Sequence, residues 1–252
     1  MRDSGGGPVG ETWLPGNVGG AWRSGDTVHR ATGEWTPAVH ALLGHLAARG
    51  LGRIPRVLGF DGQGREVLTY LEGRVTDIGT ELLTPGQIDG LASWTREFHE
   101  AAAGFAHDGP WRYPALPGAS LIGHNDIAPY NACFDGDELS GVFDWDMAGW
   151  TSPLMELAFI AWNCVPLWRD IGVAQSAERI TRICDAYGGG IGPVAVADAV
   201  PARIEAMLTW IPAGAAAGDA GLRRLMEQGE PQRSRRALDE LLPRLARMRA
   251  LL

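Results

Sequence analysis

Two pairs of short extended runs, each broken by a glycine turn, flank a single amphipathic run within the first 75 residues, and the pattern does not recur afterwards. Ser24-Gly25-Asp26 separates Ala21–Arg23 from Thr27–Arg30, and Asp61–Gly64 separates Arg56–Phe60 from Glu66–Tyr70. Both breaks are hairpin signals. Between the pairs, Thr36-Pro37 reads as an N-cap followed by proline at the first helical position. Val39, Leu42, Leu43 and Leu46 then recur at helical spacing, and Gly50 can end the helix. The spacing predicts β-β-α-β-β. Isolated hairpins are marginal in water, so this unit needs a partner layer.

The partner is in the rest of the chain. After Gly73 the texture turns helical. Thr84-Pro85 opens a helix through Leu91, Trp94 and Phe98 to about Gly104, and Gly109–Gly118 is a proline-rich loop. Leu121–Cys133 reads as short and loop-like, with Leu139–Phe143 a short strand. Helices are expected over Leu154–Trp162, Ala174–Tyr187, Val194–Trp210 and Pro231–Leu251, with Ala213–Gly221 a loose connection. The expectation is an α+β chain. It has a loose tail over residues 1–11, a small lobe over 12–70, a connecting segment over 71–75, and a helical lobe over 76–252.

Composition excludes several classes. The 252 residues are 45% hydrophobic and 21% charged, which argues against disorder. Net charge is −8, all 22 basic residues are Arg, and no long basic run appears, so no nucleic-acid partner is expected. The most apolar stretch, Leu154–Trp168, is interrupted by Glu156, Asn163 and Pro166 and falls short of the ~20 residues of a membrane span. Met1–Gly10 has no apolar signal core, so a cytoplasmic location is expected. Cys133, Cys164 and Cys184 fit no zinc spacing and read as packed thiols. The run Arg233-Ser234-Arg235-Arg236 reads as a solvated helix face.

Chemistry concentrates in His124-Asn125-Asp126-Ile127-Ala128-Pro129-Tyr130-Asn131, followed thirteen residues later by Asp144-Trp145-Asp146. Phosphoryl transfer needs one carboxylate to orient the acceptor hydroxyl and take its proton, and oxygen donors for a metal on the phosphates. Mg²⁺ commonly takes only one or two ligands from a protein. A loop–turn–strand–loop unit can bring such groups to one cleft.

His-x-Asp-x-x-x-x-Asn, an apolar strand and Asp-Trp together resemble the aminoglycoside phosphotransferase family, a branch of the protein-kinase-like fold. Glu66–Gly73 resembles that family's interlobe hinge, and Trp150–Ala158 its Asp-Pro-x-x-Asp-Leu-Ala segment. Trp35–His40 and Arg65–Leu68 resemble its trifolitoxin-immunity-like branch. The resemblance covers roughly residues 14–165. It implies a two-lobed fold, with a small antiparallel β lobe and a larger, mostly helical one. It implies Asp126 as catalytic base, Asn131 and Asp144 as Mg²⁺ ligands, and His124 as a structural loop residue. The Gly16–Gly20 turn, through Gly19 and Gly20, would lie over the phosphates of ATP or GTP. Thr69 and Leu71, within Leu68–Leu71, would meet the base, and Arg30 would stand where the family has its phosphate-pairing Lys. The acceptor would be a small molecule, with cationic aminoglycosides one class that an acid-rich cleft suits.

Four positions depart from the family pattern. Arg replaces Lys at position 30, which is not a conservative exchange. No acid lies on the helix Pro37–Arg49 to pair with it. Asn125 stands in place of Gly, and Glu156 in place of Asp. His29, His40, His45, His99 and His107 show no ligand spacing with acids. Trp145 is expected beside the metal loop, with Trp150, Trp162 and Trp168 lining an acceptor pocket. Asp146 reads as a contact to metal or an acceptor amine, or as a solvated acid. Two functions follow: Mg²⁺-dependent transfer of the nucleotide γ-phosphate to a small-molecule hydroxyl, or a catalytically weak kinase-fold protein that sequesters a small molecule or peptide toxin. A hydrolase is disfavoured, because no Gly-x-Ser-x-Gly elbow occurs.

Overall fold

A computed structural model describes residues 10–16 and 19–252. Residues 1–9 of the tail expected over 1–11, and the tip of the glycine turn at Asn17 and Val18, lie outside the described residues; Glu11 is not loose but paired with Arg65 at 2.7 Å. The small lobe is a five-stranded antiparallel sheet in the order β1-β2-β3-β5-β4. Its strands are β1 (Thr12–Pro15), β2 (Gly20–Ser24), β3 (Thr27–Arg30), β4 (Val57–Phe60) and β5 (Glu66–Thr69). Both expected hairpins form. The extra strand β1 pairs Trp13 with Trp22, with ring centroids 4.9 Å apart. Proline and glycine at 15 and 16 mask so short a strand in the sequence. The middle pairing, β3 against β5, joins strands from different hairpins and sets Arg30 directly opposite Glu66.

Helix α1 (Thr36–Ala48) crosses between the hairpins and buries Val39, Leu42, Leu43 and Leu46, as the periodicity predicts. Its cap is Trp35, one residue before the expected Thr36. The Thr36 hydroxyl accepts the Gly33 N–H instead, at 2.9 Å.

The large lobe starts with β6 (Arg74–Val75) and α2 (Pro85–Ala102). Thr84 and Gln87 close a reciprocal capping box at the start of α2. The segment expected to be loop-like is a scaffold. Strand β7 (Leu121–Gly123) pairs with β10 (Gly149–Thr151), and β8 (Ala132–Asp135) pairs with both β6 and β9 (Glu138–Val142). These ribbons pin both ends of the loop 124–131 and of the turn at Asp144. Five helices follow: α3 (Pro153–Cys164), α4 (Val173–Tyr187), α5 (Pro193–Ala216), α6 (Ala220–Glu227) and α7 (Glu230–Arg249). The region 213–221 is mostly helical rather than loose, because α5 runs on past Pro212 and α6 begins at Ala220. Its alanines favour helix, and glycines at 214 and 221 do not break it. Trp162 is buried in the main core instead of lining a cleft. No described helix is long and apolar enough to cross a membrane.

The aromatic core of α2 is the floor of the polar loop. Trp94 stacks on Phe98, Phe98 meets Trp145 edge-on at 5.2 Å, and Trp145 lies 4.6 Å from the His124 ring. Trp145 also donates its indole N–H to the Val142 carbonyl at 3.1 Å. Hydrophobic burial of these rings thus sets the height of both polar loops above one apolar base.

Candidate active site

His124 is fully buried and joins the two loops. The Asp126 N–H donates to its Nδ1 at 3.2 Å, and its Nε2 donates to the Phe143 carbonyl at 3.1 Å. One ring nitrogen must accept while the other donates, so the ring is neutral. Burial lowers its pKa and favours that form. Phe143 N–H in turn donates to the Asn131 carbonyl at 2.9 Å. Asp126, Asn131 and Asp144 are thereby tied to one frame, with His124 as its structural centre.

Within the frame, both oxygens of Asp126 are held. Tyr130 donates to Oδ1 at 3.1 Å and Asn131 Nδ2 donates to Oδ2 at 2.8 Å. Burial and then the charge of Asp144 push the Asp126 carboxyl up to about 7, against those two hydrogen bonds. Asp144 and Asn125 both have left-handed backbones, at φ 60° and 61°. Asx residues tolerate that region better than other non-glycine residues.

Asn125 is where the chain departs from glycine, and three partners hold it there. Its N–H donates to Glu156 Oε1 at 2.7 Å and its Nδ2 to the Gly149 carbonyl at 3.1 Å. Its carbonyl accepts Arg203 Nη2 at 2.7 Å, while Arg203 Nη1 donates to the Tyr113 hydroxyl at 2.8 Å. Glu156 Oε2 lies 2.7 Å from His99 Nε2, and His99 Nδ1 lies 3.0 Å from the Tyr187 hydroxyl. The longer Glu at 156 thus bridges α2 to the loop. Burial penalises its charge, but the hydrogen bonds from His99 and the Asn125 N–H hold its pKa below the ordinary value.

Arg30 on β3 is largely enclosed and reaches three acids. Its Nε lies 2.8 Å from Glu66 Oε1, its Nη1 donates to Asp144 at 3.2 Å, and its Nη2 meets Asp146. Burial opposes its charge, yet Asp146, Asp144 and Glu66 together hold its pKa above the ordinary value. Asp146 is no solvated loop acid. Its other oxygen faces Arg112 at 3.4 Å, and Arg112 is held by a two-pronged contact to Asp219, both bonds at 2.8 Å. Burial, against the charge of Arg30, pushes Asp146 up to about 6. The Arg112 guanidinium lies 4.3 Å over the Trp35 ring, which closes small lobe onto large.

The structure therefore brings Asp126, Asn131, Asp144 and Arg30 together. Thr69, at the other end of β5, donates its N–H to the Arg56 carbonyl at 3.0 Å. The Leu71 side chain covers Gly141, where any Cβ would strike it. Gly19 is open around its Cα, whereas a Cβ on Gly20 would strike the Trp13 ring. Three histidines read as lacking partner acids have them in space: His29 with Asp61, His40 with Glu66 and His99 with Glu156. Sequence reasoning missed Glu66, Arg112, Arg203 and Asp219. For Glu66, the only available signal was its place opposite Arg30, visible once β3 is known to pair with β5.

Among the described residues, no three His, Cys, Asp or Glu side chains converge as metal ligands. The donors at the cleft are amide and carboxylate oxygens, which suit a hard divalent cation that keeps most of its water. Asn131 Nδ2 is committed to Asp126, which leaves Oδ1 as its acceptor end. The residues present fit such an ion.

A sheet lobe and a helical lobe closed over this polar frame define a kinase-like fold. Comparison with known proteins agrees. The model of a family described as phosphotransferase enzymes matches residues 111–198. The trifolitoxin immunity protein of Rhizobium leguminosarum bv. trifolii is 32% identical over 184 residues, 66% of this chain and 69% of that protein. A choline/ethanolamine kinase family protein from Mesorhizobium loti superposes with a TM-score of 0.57 at 17% identity, covering 97% of this chain and 93% of that one. An aminoglycoside phosphotransferase from Streptomyces rimosus, solved with ADP and streptomycin, gives 0.56 at 15% identity over 80% and 94%. A microcompartment-associated aminopropanol kinase gives 0.59 at 12% identity over 94% and 93%. The chain belongs to the aminoglycoside phosphotransferase family, in the branch of the trifolitoxin immunity protein. That family implies a nucleotide donor and usually a divalent metal.

Proposed function

We propose that this chain transfers the γ-phosphoryl group of ATP or GTP to a hydroxyl of a small, cationic molecule. One observation carries the reading: the doubly held Asp126 shares a frame with Asp144, and Asp144 is in contact with Arg30 from the opposite lobe. Base, oxygen donors and a phosphate-binding cation thus line one cleft. Asp126 orients the acceptor hydroxyl and takes its proton. Asn131 Oδ1 and Asp144 would hold Mg²⁺, which would offset charge on the phosphates. Arg30 exchanges its aspartate contacts for phosphate oxygens, while backbone N–H groups at Gly19 and Gly20 approach them from above. Thr69 and Leu71 flank the base. A carboxyl poised near neutrality suits a general base. The acids Asp126, Asp144 and Asp146 favour an acceptor with a cationic nitrogen. The solved neighbours are named for streptomycin, aminopropanol and choline or ethanolamine, which all pair hydroxyl with nitrogen.

The test is nucleotide consumption across a panel of amino alcohols and aminoglycosides, with Asp126→Ala as control. Turnover that disappears in the variant, while nucleotide affinity stays within about threefold, supports the reading. A second reading rests on the immunity relative: the cleft sequesters a toxin without phosphorylating it. Stoichiometric protection with no nucleotide consumed favours that reading.

A further inference from the structure

Arg30 has partners of two kinds. On the cleft side, its two Nη groups face Asp144 and Asp146, which belong to the large lobe. On the sheet side, its Nε faces Glu66, which belongs to the same sheet and is 4% exposed at its side chain. Glu66 is not free to turn. Its second oxygen lies 2.7 Å from His40 Nε2, on α1, and the His40 ring rests 5.3 Å from Phe60 on β4. β3 and α1 therefore converge on one carboxylate of β5, with β4 packed behind the His40 ring.

A guanidinium has one Nε edge and a pair of Nη groups pointing away from it, in one rigid plane. Anchoring Nε on Glu66 leaves the Nη pair aimed at the cleft whether or not the aspartates are engaged. An ammonium can also split its three donors, but as a compact point charge on a flexible stem it does not fix them in one plane. The Asp144 and Asp146 contacts must loosen when phosphate oxygens take their place, whereas the Glu66 contact need not change. We propose that Glu66, steadied by His40, is the positioning residue that holds Arg30 in its phosphate-binding pose, with the rigid guanidinium plane turning its Nη pair to the cleft. The inference rests on the nucleotide reading above and deepens it. The helix contributes His40 where it has no acid to offer, and strand β5 supplies the carboxylate.

The experiment compares calorimetric binding of Mg·ATP and Mg·GTP with that of adenosine and guanosine, on wild type, Glu66→Gln, His40→Leu and Arg30→Lys. Glu66→Gln keeps the shape and removes the negative charge that lies 2.8 Å from Nε. Its affinity for the preferred nucleotide should fall roughly tenfold or more, as loss of a close buried charge contact implies. The matching nucleoside should bind as it does to wild type, because only the phosphate grip is disturbed. His40→Leu should show the same selective loss to a smaller degree, and it decides the matter if Glu66→Gln folds poorly. Arg30→Lys should fail to restore wild-type affinity. Equal loss of nucleotide and nucleoside, or no loss of either, would overturn the proposal while leaving the nucleotide reading intact. A wild type that binds no nucleotide overturns both.

Discussion

Glu156 supports the loop that carries Asp126, and removing it should show how much the loop depends on that support. Its carboxylate is 1% exposed, takes the Asn125 N–H at 2.7 Å and lies 2.7 Å from His99 Nε2. Glu156→Ala leaves both partners buried without it. A buried donor left without its acceptor costs about 1–3 kcal/mol, so the two donors together cost about 2–6 kcal/mol. In a chain of this size each kcal/mol moves the melting temperature by about 2–4 °C. The variant should therefore melt about 4–24 °C below wild type. Glu156→Gln should lose about half as much, because the amide oxygen can still accept the Asn125 N–H and His99 can exchange tautomers to face the amide. The pH dependence has a definite sign. The folded carboxyl titrates below its ordinary 4.5, since the hydrogen bonds from His99 and the Asn125 N–H outweigh the penalty of burial. Its stabilisation is then fully present above about pH 4.5 and is lost as the pH falls through the depressed folded value. The gap between wild type and Glu156→Gln should narrow in that acid range. Calorimetric melting from pH 3 to 8 measures both effects. A Glu156→Ala melting temperature within about 3 °C of wild type would refute the reasoning.

Other consequences follow from the same geometry. Burial and Asp144 raise the Asp126 carboxyl to about 7, so the fold resists its ionisation and loses stability as pH rises from its ordinary 3.8 toward 7. Asp126→Asn, without metal or nucleotide, should melt above wild type at pH 8 and level with it at pH 3; a lower melting temperature at pH 8 contradicts this. Gly123→Ala would drive a Cβ into Glu156 Oε2 and the Thr151 methyl. It should cost ~2 kcal/mol or more in urea unfolding, as overpacking at a rigid site does, and a neutral result would mean that β7 yields. Arg112→Ala should remove the link between Trp35 and the Asp146–Asp219 pair. Limited proteolysis near Trp35 should then quicken, whereas an unchanged rate would show that other contacts close the lobes.

Local signals were legible where they came from periodicity and turn chemistry. The hairpins around Gly25 and Gly62, the buried face of α1 and the Thr84 cap of α2 needed only nearest neighbours in sequence. Strands β7 and β10 were illegible because three residues carry no period, and they exist by pairing with each other across 25 intervening positions. At the site, the spacing of Asp126, Asn131 and Asp144 was readable as a motif. The surrounding grip was not. Glu66 reaches Arg30 through pairing between strands of different hairpins, and Arg203 and Asp219 come from the helical end of the chain, which carries no motif. Long-range polar contacts leave little trace in one sequence, because only the fold decides which charges meet.

The central claim is that Asn131 and Asp144 hold a divalent metal on a bound nucleotide. Calorimetric titration of ATP and GTP, each with and without Mg²⁺, on wild type and Asp144→Ala tests it most directly. The account predicts saturable binding of at least one nucleotide to wild type, strengthened roughly tenfold or more by Mg²⁺, with that strengthening lost in the variant. Binding indifferent to Mg²⁺ in wild type, or a Mg²⁺ effect that survives in Asp144→Ala, would contradict it.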